Sequence, residues 1–220
     1  MSETIFVDRA EAGRRLARDV LALKLEAPLV IALPRGGVPV AAEVARALKA
    51  PLDLLLVRKV GAPGNPELAV GAIADGTPPV LVADERLMEL TGADARWVER
   101  EAAREQRENE RRRVAYLAGR TRPPLAGRTV VVVDDGLATG TTMRAALQAL
   151  RQQGAARLVM AVPVAPPETI ERFRSLADDI VCPLRPPWFQ AVGVHYRDFH
   201  QVDDAEVVAA LDAARLSPTR

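Results

Sequence analysis

The sequence predicts an α/β fold in which a parallel sheet carries helices on both faces. Three observations predict it. Short apolar segments alternate along the chain with longer amphipathic ones. The short segments are apolar throughout rather than at every second residue, as strands buried on both faces must be. And 220 residues, 49% hydrophobic and 27% charged, suffice for one α/β domain with its own core. The expected organisation is a single domain over residues 1–220, with a core at about 29–182 and a small C-terminal accessory segment at about 183–220.

Each element has its own warrant. Residues 10–24 place Leu16, Val20 and Leu23 at helical spacing. Residues 29–33 form a short apolar run ended by Pro34, a buried strand. After Gly36 and Gly37, the positions Val38, Ala41, Val44, Ala45 and Leu48 recur as one face of a helix. A second buried strand is expected at 52–57, and residues 61–66 (Gly-Ala-Pro-Gly-Asn-Pro) carry loop chemistry. Short strands at 69–74 and 80–83 flank the turn Asp75-Gly76. A long charged helix follows at 93–116, then a Pro/Gly connection at 121–127. Thr129 opens the clearest strand, 129–133, and a helix at 141–153 follows it. Further alternation is expected at 158–164, 168–177 and 180–182. The last helix, 204–216, has the capping residues Asp203 and Asp204 before it.

Composition excludes several function classes. The formal charge is +1, so no global field draws the chain to nucleic acid or membrane, and any anion site is local. Lone Cys182 makes neither an internal disulfide nor a zinc site. The first 18 residues lack the apolar stretch of a signal peptide, and no run reaches the ~18 apolar residues of a membrane span, so a cytoplasmic location is expected. His195 and His200 do not match the spacing of a helical metal pair. No Gly-Lys-Ser/Thr follows a glycine-rich turn, and none of the three serines sits in a nucleophile elbow. Glu and Arg fall three or four apart on the charged helix (Glu101–Arg104, Glu108–Arg112), which marks a solvated, self-paired face rather than a nucleic-acid stripe.

The stretch Thr129-Val-Val-Val-Val-Asp-Asp-Gly-Leu-Ala-Thr-Gly-Thr-Thr142 carries most of the functional argument. A buried strand delivers Asp134 and Asp135 at its C-terminal end, where open α/β sheets bind ligands. A turn with Gly136 and Gly140 then opens a helix. Its free amides, with the hydroxyls of Thr139, Thr141 and Thr142, suit one phosphate. Carboxylates beside a phosphate pocket repel the ligand unless they bind hydroxyls or a metal, a combination that suits a sugar phosphate. The plain alternative is a β-turn-α connection using Asp and Thr as turn and cap residues.

This stretch resembles the phosphoribosylpyrophosphate-binding motif of type I phosphoribosyltransferases. The resemblance implies that Asp134 and Asp135 bind the ribose 2- and 3-hydroxyls, and that Ala138, Thr139, Gly140, Thr141 and Thr142 bind the 5-phosphate. Two upstream matches follow in order. Leu33-Pro-Arg-Gly-Gly37 looks like the family's pyrophosphate loop, where a non-proline cis peptide often occurs, and assigns Arg35, Gly36 and Gly37 to pyrophosphate. Arg58-Lys59 is similar to the family's basic pair, which touches pyrophosphate, and residues 61–67 to the loop that closes over the site. A simple Pro-Gly-Gly turn and a solvated Arg-Lys pair are the plain alternatives. A less characterised bacterial branch is suggested by Arg58-Lys-Val-Gly-Ala-Pro-Gly-Asn-Pro-Glu67 and by the ending Val192-Gly-Val-His-Tyr-Arg-Asp-Phe199. In purine-using relatives a C-terminal hood stacks an aromatic ring on the base. Trp188 or Phe189 could do this here, and both equally suit core or interface positions.

The resemblance therefore implies a pentosyl transfer, from phosphoribosylpyrophosphate to a nitrogen acceptor, with Asp134, Asp135 and Lys59 carrying the chemistry. Mg²⁺ is the implied cofactor, held mainly by the ligand's pyrophosphate and assisted by Asp134 and Asp135. The partners expected are small molecules, with no nucleic acid and no membrane, and a homo-oligomer is left open. Two alternatives stay open: a non-catalytic regulator that binds the same ligand, and a sugar-phosphate hydrolase on the same scaffold.

Overall fold

Runs of buried aliphatic residues form the central layer of the computed structural model, which describes residues 5–76, 78–117 and 123–216. The elements run α1 (Arg9–Leu21), β1 (Leu29–Ala32), α2 (Gly37–Leu48), β2 (Leu52–Leu54), β3 (Val57–Ala62), β4 (Asn65–Ala74) and β5 (Val80–Ala83). They continue with α3 (Glu85–Thr91), α4 (Ala95–Leu117), β6 (Thr129–Val133), α5 (Thr141–Gln152), β7 (Arg157–Ala161), α6 (Pro167–Glu171) and β8 (Asp179–Val181). A 3₁₀ turn at Val192–His195 precedes α7 (Asp204–Leu216).

Five strands form one parallel sheet in the order β2-β1-β6-β7-β8. Alternate residues of β1, β6 and β7 face opposite sides. Leu29, Ile31, Val130, Val132, Leu158 and Met160 enter the core shared with α5 and Phe173. Val30, Ala32, Val131, Val133, Val159 and Ala161 enter the core shared with α1, α2 and α7. Both faces are dry, which is why these strands read as continuous apolar runs. Leu16 and Val20 of α1 and Val207 and Leu211 of α7 are fully buried members of the second core, which thus draws on residues outside 29–182.

The connections diverge at the centre. From β1 the chain crosses to β2 on one side, and from β6 it crosses to β7 and β8 on the other. The C-terminal ends of β1 and β6 therefore flank a topological switch point, the place where open α/β sheets leave a crevice.

The remaining strands correct the sequence expectation in two places. Residues 61–66 are not a free loop. They form the end of an antiparallel hairpin, β3 with β4, turning at Pro63-Gly64 with Gly64 at φ 72°, and β5 completes a separate three-stranded sheet. The glycines and prolines that read as loop here serve a register shift between Val60 and Ala62 and a tight turn. The strand expected at 52–57 likewise splits in two, because the chain leaves the parallel sheet after Leu54. A short helix not foreseen, α3, is capped by Asp84, whose carboxylate accepts from the Leu87 amide at 3.1 Å. The helix expected at 168–177 stops at Glu171. The connection expected at 121–127 lies partly outside the described residues. The paired charges of α4 are present, with Glu101–Arg104 at 3.7 Å and Glu108–Arg112 at 2.8 Å.

Candidate active site

Two chain segments meet at the switch point. After β1, the bond Pro34–Arg35 is cis, and Gly36 and Gly37 turn into α2. After β6 come Asp134 and Asp135. A methyl group on Gly36 would lie 2.7 Å from Asp135 Cγ, and one on Gly37 would lie 2.9 Å from Asp134 Cα. The two loops are thus in close contact, and only glycine permits this approach. Arg35 reaches across to α7, 3.7 Å from an Asp204 oxygen that also accepts a 2.6 Å hydrogen bond from Tyr116 Oη.

The turn that follows the two aspartates is held open toward the sheet edge. Leu137 N donates to Val164 O at 2.9 Å, and Thr169 Oγ1 donates to Ala138 O at 2.9 Å. Gly140 caps α5 at φ 78°, with the Phe173 ring 2.7 Å from where a Cβ would stand, so both conformation and space exclude a side chain. Ala138 and Thr139 are exposed, and Thr141 and Thr142 half-buried. The first amides of α5 lack intrahelical partners by helix geometry and face the same turn. Phosphate recognition is what such a turn offers.

The aspartates differ in their surroundings. Asp134 Oδ1 accepts only locally, from the Asp135 amide at 2.9 Å. Burial, and then the adjacent Asp135 carboxylate, push the Asp134 carboxyl well above its ordinary range. Burial also raises Asp135, but Arg9 opposes this through an ion pair, Nε to Oδ2, at 2.9 Å. Tyr196 Oη donates to the Asp135 carbonyl at 2.6 Å. Arg9 and Tyr196 were not foreseen from sequence. Arg9 begins a helix far upstream with nothing around it to mark a ligand site. Tyr196 lies in the ending at 192–199 that sequence reading singled out without giving it a role.

This asymmetry predicts a stability effect. An acid whose folded-state pKa lies above its unfolded value near 3.8 costs the folded protein stability as pH rises through that interval, and the deficit persists at neutral pH. Asp134→Asn removes it. In metal-free, ligand-free buffer at pH 7 the variant should melt roughly 2–4 °C higher, the shift ~1 kcal/mol produces in a domain of this size. The gap should close toward pH 4. A variant no more stable than wild type at pH 7 would contradict the burial of this carboxyl.

The third expected segment stands apart from the other two. Arg58 and Lys59 lie inside β3, not at the C-terminal end of a parallel strand, so strand alternation sends them to opposite faces. Arg58 Nε is ion-paired with Glu105 of α4, and Lys59 is exposed. The C-terminal segment folds over the turn. Val192 lies against Gly136, and Phe6 pairs along the chain with Tyr196. Phe189 packs beside Val192 and stacks on His195, with ring centroids 5.4 Å apart, which commits it to packing. Trp188 is 85% exposed.

For a metal, the site offers the two carboxylates. Among the described residues no group of three or more His, Cys, Asp or Glu forms a cage. Two hard oxygen donors fit a hard ion that takes its remaining ligands from water and a diphosphate. Among the described residues, no helix is long and apolar enough to cross a membrane.

Comparison with known proteins shows the family. The family model described as the phosphoribosyl transferase domain matches residues 6–199. A Mycobacterium tuberculosis protein whose name makes it a candidate phosphoribosyl transferase, found in strains CDC 1551 and H37Rv, is 48% identical over 210 residues, which is 96% of this chain and 47% of that protein. The chain therefore spans about half the length of the curated relatives it matches. The crystal structure of TT1426 from Thermus thermophilus is 49% identical and superposes with a TM-score of 0.82, covering 94% of this chain and 97% of its own. A Pro-Arg-Gly-Gly loop in contact with a paired-aspartate turn at the neighbouring strand end, and a family match running from Phe6 to Phe199, place the chain in one family: it belongs to the phosphoribosyl transferases.

Proposed function

We propose that this domain transfers the 5-phosphoribosyl group of phosphoribosylpyrophosphate to a ring nitrogen of a nucleobase or related heterocycle, releasing pyrophosphate. The observation that supports this most is the close contact between the Gly36-Gly37 loop and the Asp134-Asp135 turn at the switch point. It supports a reading in which a diphosphate site lies beside a diol site, with the α5 turn next in the chain for the 5-phosphate.

The chemistry follows from charge. Breaking the C1–O bond to pyrophosphate leaves positive charge on the ribose ring and negative charge on the leaving group, while the acceptor nitrogen forms the new bond and loses its proton. Arg35 and the Gly36-Gly37 amides would hold the leaving group. Asp134 and Asp135 would fix the ribose hydroxyls and lie on the side where positive charge develops. Mg²⁺, when bound with the diphosphate and assisted by these carboxylates, would neutralise the leaving oxygens. Trp188 is the ring available to stack on the acceptor.

Lys59 enters this scheme through motion of the β3–β4 hairpin. If the hairpin closes over bound ligand and brings Lys59 to the pyrophosphate, Lys59→Ala should lower kcat roughly 30-fold while changing phosphoribosylpyrophosphate affinity much less. Unchanged kcat would return Lys59 to an ordinary solvated role. The same closure predicts that amides of residues 61–67 exchange more slowly with ligand and acceptor bound than without. Equal exchange in both states would count against a lid.

The direct test is a screen of purine and pyrimidine bases and related heterocycles with phosphoribosylpyrophosphate and Mg²⁺, following pyrophosphate release. Transfer is expected with at least one base. Tight binding without release would favour a sensor, and ribose 5-phosphate formed without any acceptor would favour a hydrolase.

A further inference from the structure

We infer that Arg9 is a positioning residue of this site: it clamps one oxygen of the Asp135 carboxylate so that the other is presented to a single ribose hydroxyl, making sugar recognition depend on that hydroxyl. The inference rests on the sugar-phosphate reading of the Asp134-Asp135 turn and adds a residue from a distant part of the chain to it.

The geometry around Arg9 is that of a fixed side chain. Its side chain is only 8% exposed. Nε donates to Asp135 Oδ2 at 2.9 Å, and a terminal nitrogen donates to the His200 carbonyl at 2.7 Å. The guanidinium lies 3.9 Å from the centroid of the Phe199 ring. These three contacts point in different directions, which a planar guanidinium satisfies at once and a lysine ammonium on a flexible stem does not. Oδ2 also lies close against Gly36, where an added methyl group would stand 2.0 Å from it. It is therefore closed to ligand, while a carboxylate retains acceptor sites on its second oxygen.

The backbone of Asp135 is fixed as well, by the Tyr196 hydroxyl on its carbonyl. Side chain and main chain of this one residue are thus held from α1 and from the C-terminal segment, both outside the turn itself. Arg9 also supplies the charge that two neighbouring carboxylates need if an anionic sugar phosphate is to approach them. Asp134 Oδ1 is held by the Asp135 amide and not by a charged side chain. Recognition through Asp135 is consequently preorganised, and its selectivity depends on Arg9.

Calorimetry of wild type, Arg9→Gln and Arg9→Lys with four probes tests this: ribose 5-phosphate, its 2-deoxy and 3-deoxy analogues, and inorganic pyrophosphate, all with Mg²⁺. Wild type is expected to prefer ribose 5-phosphate over both analogues, by roughly tenfold or more. In Arg9→Gln the preference over one analogue should shrink to within about threefold, with pyrophosphate affinity unchanged. Arg9→Lys should restore part of the preference, and Asp135→Asn should cost less preference when added to Arg9→Gln than when made in wild type, because both residues act on one hydroxyl. Equal weakening of all four probes would mark Arg9 as merely structural and overturn the inference. So would a full wild-type preference in Arg9→Gln. Arg9→Lys carries the comparison if the glutamine variant does not fold. Wild-type protein that binds pyrophosphate but no sugar phosphate would instead overturn the reading of the turn, and this inference with it.

Discussion

Gly36→Ala is expected to reduce phosphoribosylpyrophosphate affinity at least ~100-fold while the protein still folds. The added methyl would lie 2.7 Å from Asp135 Cγ and closer still to Oδ2, so either the carboxylate or the loop must move. The carboxylate is pinned by Arg9, and the loop is continuous with β1, whose residues are fully buried. Displacement of either separates the proposed diphosphate and diol sites by a fraction of an ångström to an ångström, enough to cost about two orders of magnitude where several charged contacts must form together. The overpacking itself should destabilise by about 1–3 kcal/mol, which a domain of ordinary stability survives. Calorimetry and thermal melting on the same sample decide this. A folded Gly36→Ala protein that binds normally would show that the loop contact has no part in ligand binding.

The combined variant Asp134→Asn, Asp135→Asn should abolish measurable phosphoribosylpyrophosphate binding, a loss of at least ~1,000-fold. Each carboxylate is assigned one ribose hydroxyl, and hydrogen bonds to a charged acceptor contribute about 1.5–3 kcal/mol each. Loss of their proposed help to Mg²⁺ adds to the effect. The stability consequences of the two changes oppose one another. Asp134→Asn relieves a buried carboxyl whose burial outweighs the help of its neighbour's amide and of the Arg9 charge. Asp135→Asn takes the counter-charge from Arg9 but leaves an amide oxygen that can still accept its N–H, at a cost of about 1–2 kcal/mol. The double variant should therefore melt close to wild type, so that lost binding cannot be blamed on unfolding. Retained affinity would remove both aspartates from the site.

The parts legible in the sequence were those whose signal is local. Five parallel strands could be read because burial on both faces forces continuous apolar runs such as residues 130–133. The turn at 134–142 could be read because one contiguous segment must supply strand end, acids, glycines and helix start. The loop at 34–37 was legible for the same reason. What escaped depends on tertiary pairing. Residues 61–66 carry turn residues, yet ladder pairing with β4 makes most of them strand. Arg58 and Lys59 look like a unit in sequence, but a strand sends neighbours to opposite faces, and Glu105 from α4 takes Arg58. Arg9 lies 126 positions from Asp135, and no local pattern marks a side chain whose partner is supplied only by the fold. Phe189 and Trp188 are adjacent aromatics in sequence, and only packing distinguishes the half-buried ring stacked on His195 from the ring left in solvent.

The β1 and β6 strand ends are proposed to form together one phosphoribosylpyrophosphate site. Titration of the wild-type protein with phosphoribosylpyrophosphate and Mg²⁺, in parallel with ribose 5-phosphate and pyrophosphate alone, tests it most directly. The prediction is one saturable site per chain, filled by the intact ligand at least ~10-fold more tightly than by either fragment, because linking the fragments makes the second contact intramolecular. Two fragments that bind without competing against the intact ligand, or no binding of the intact ligand at millimolar concentration, would contradict it.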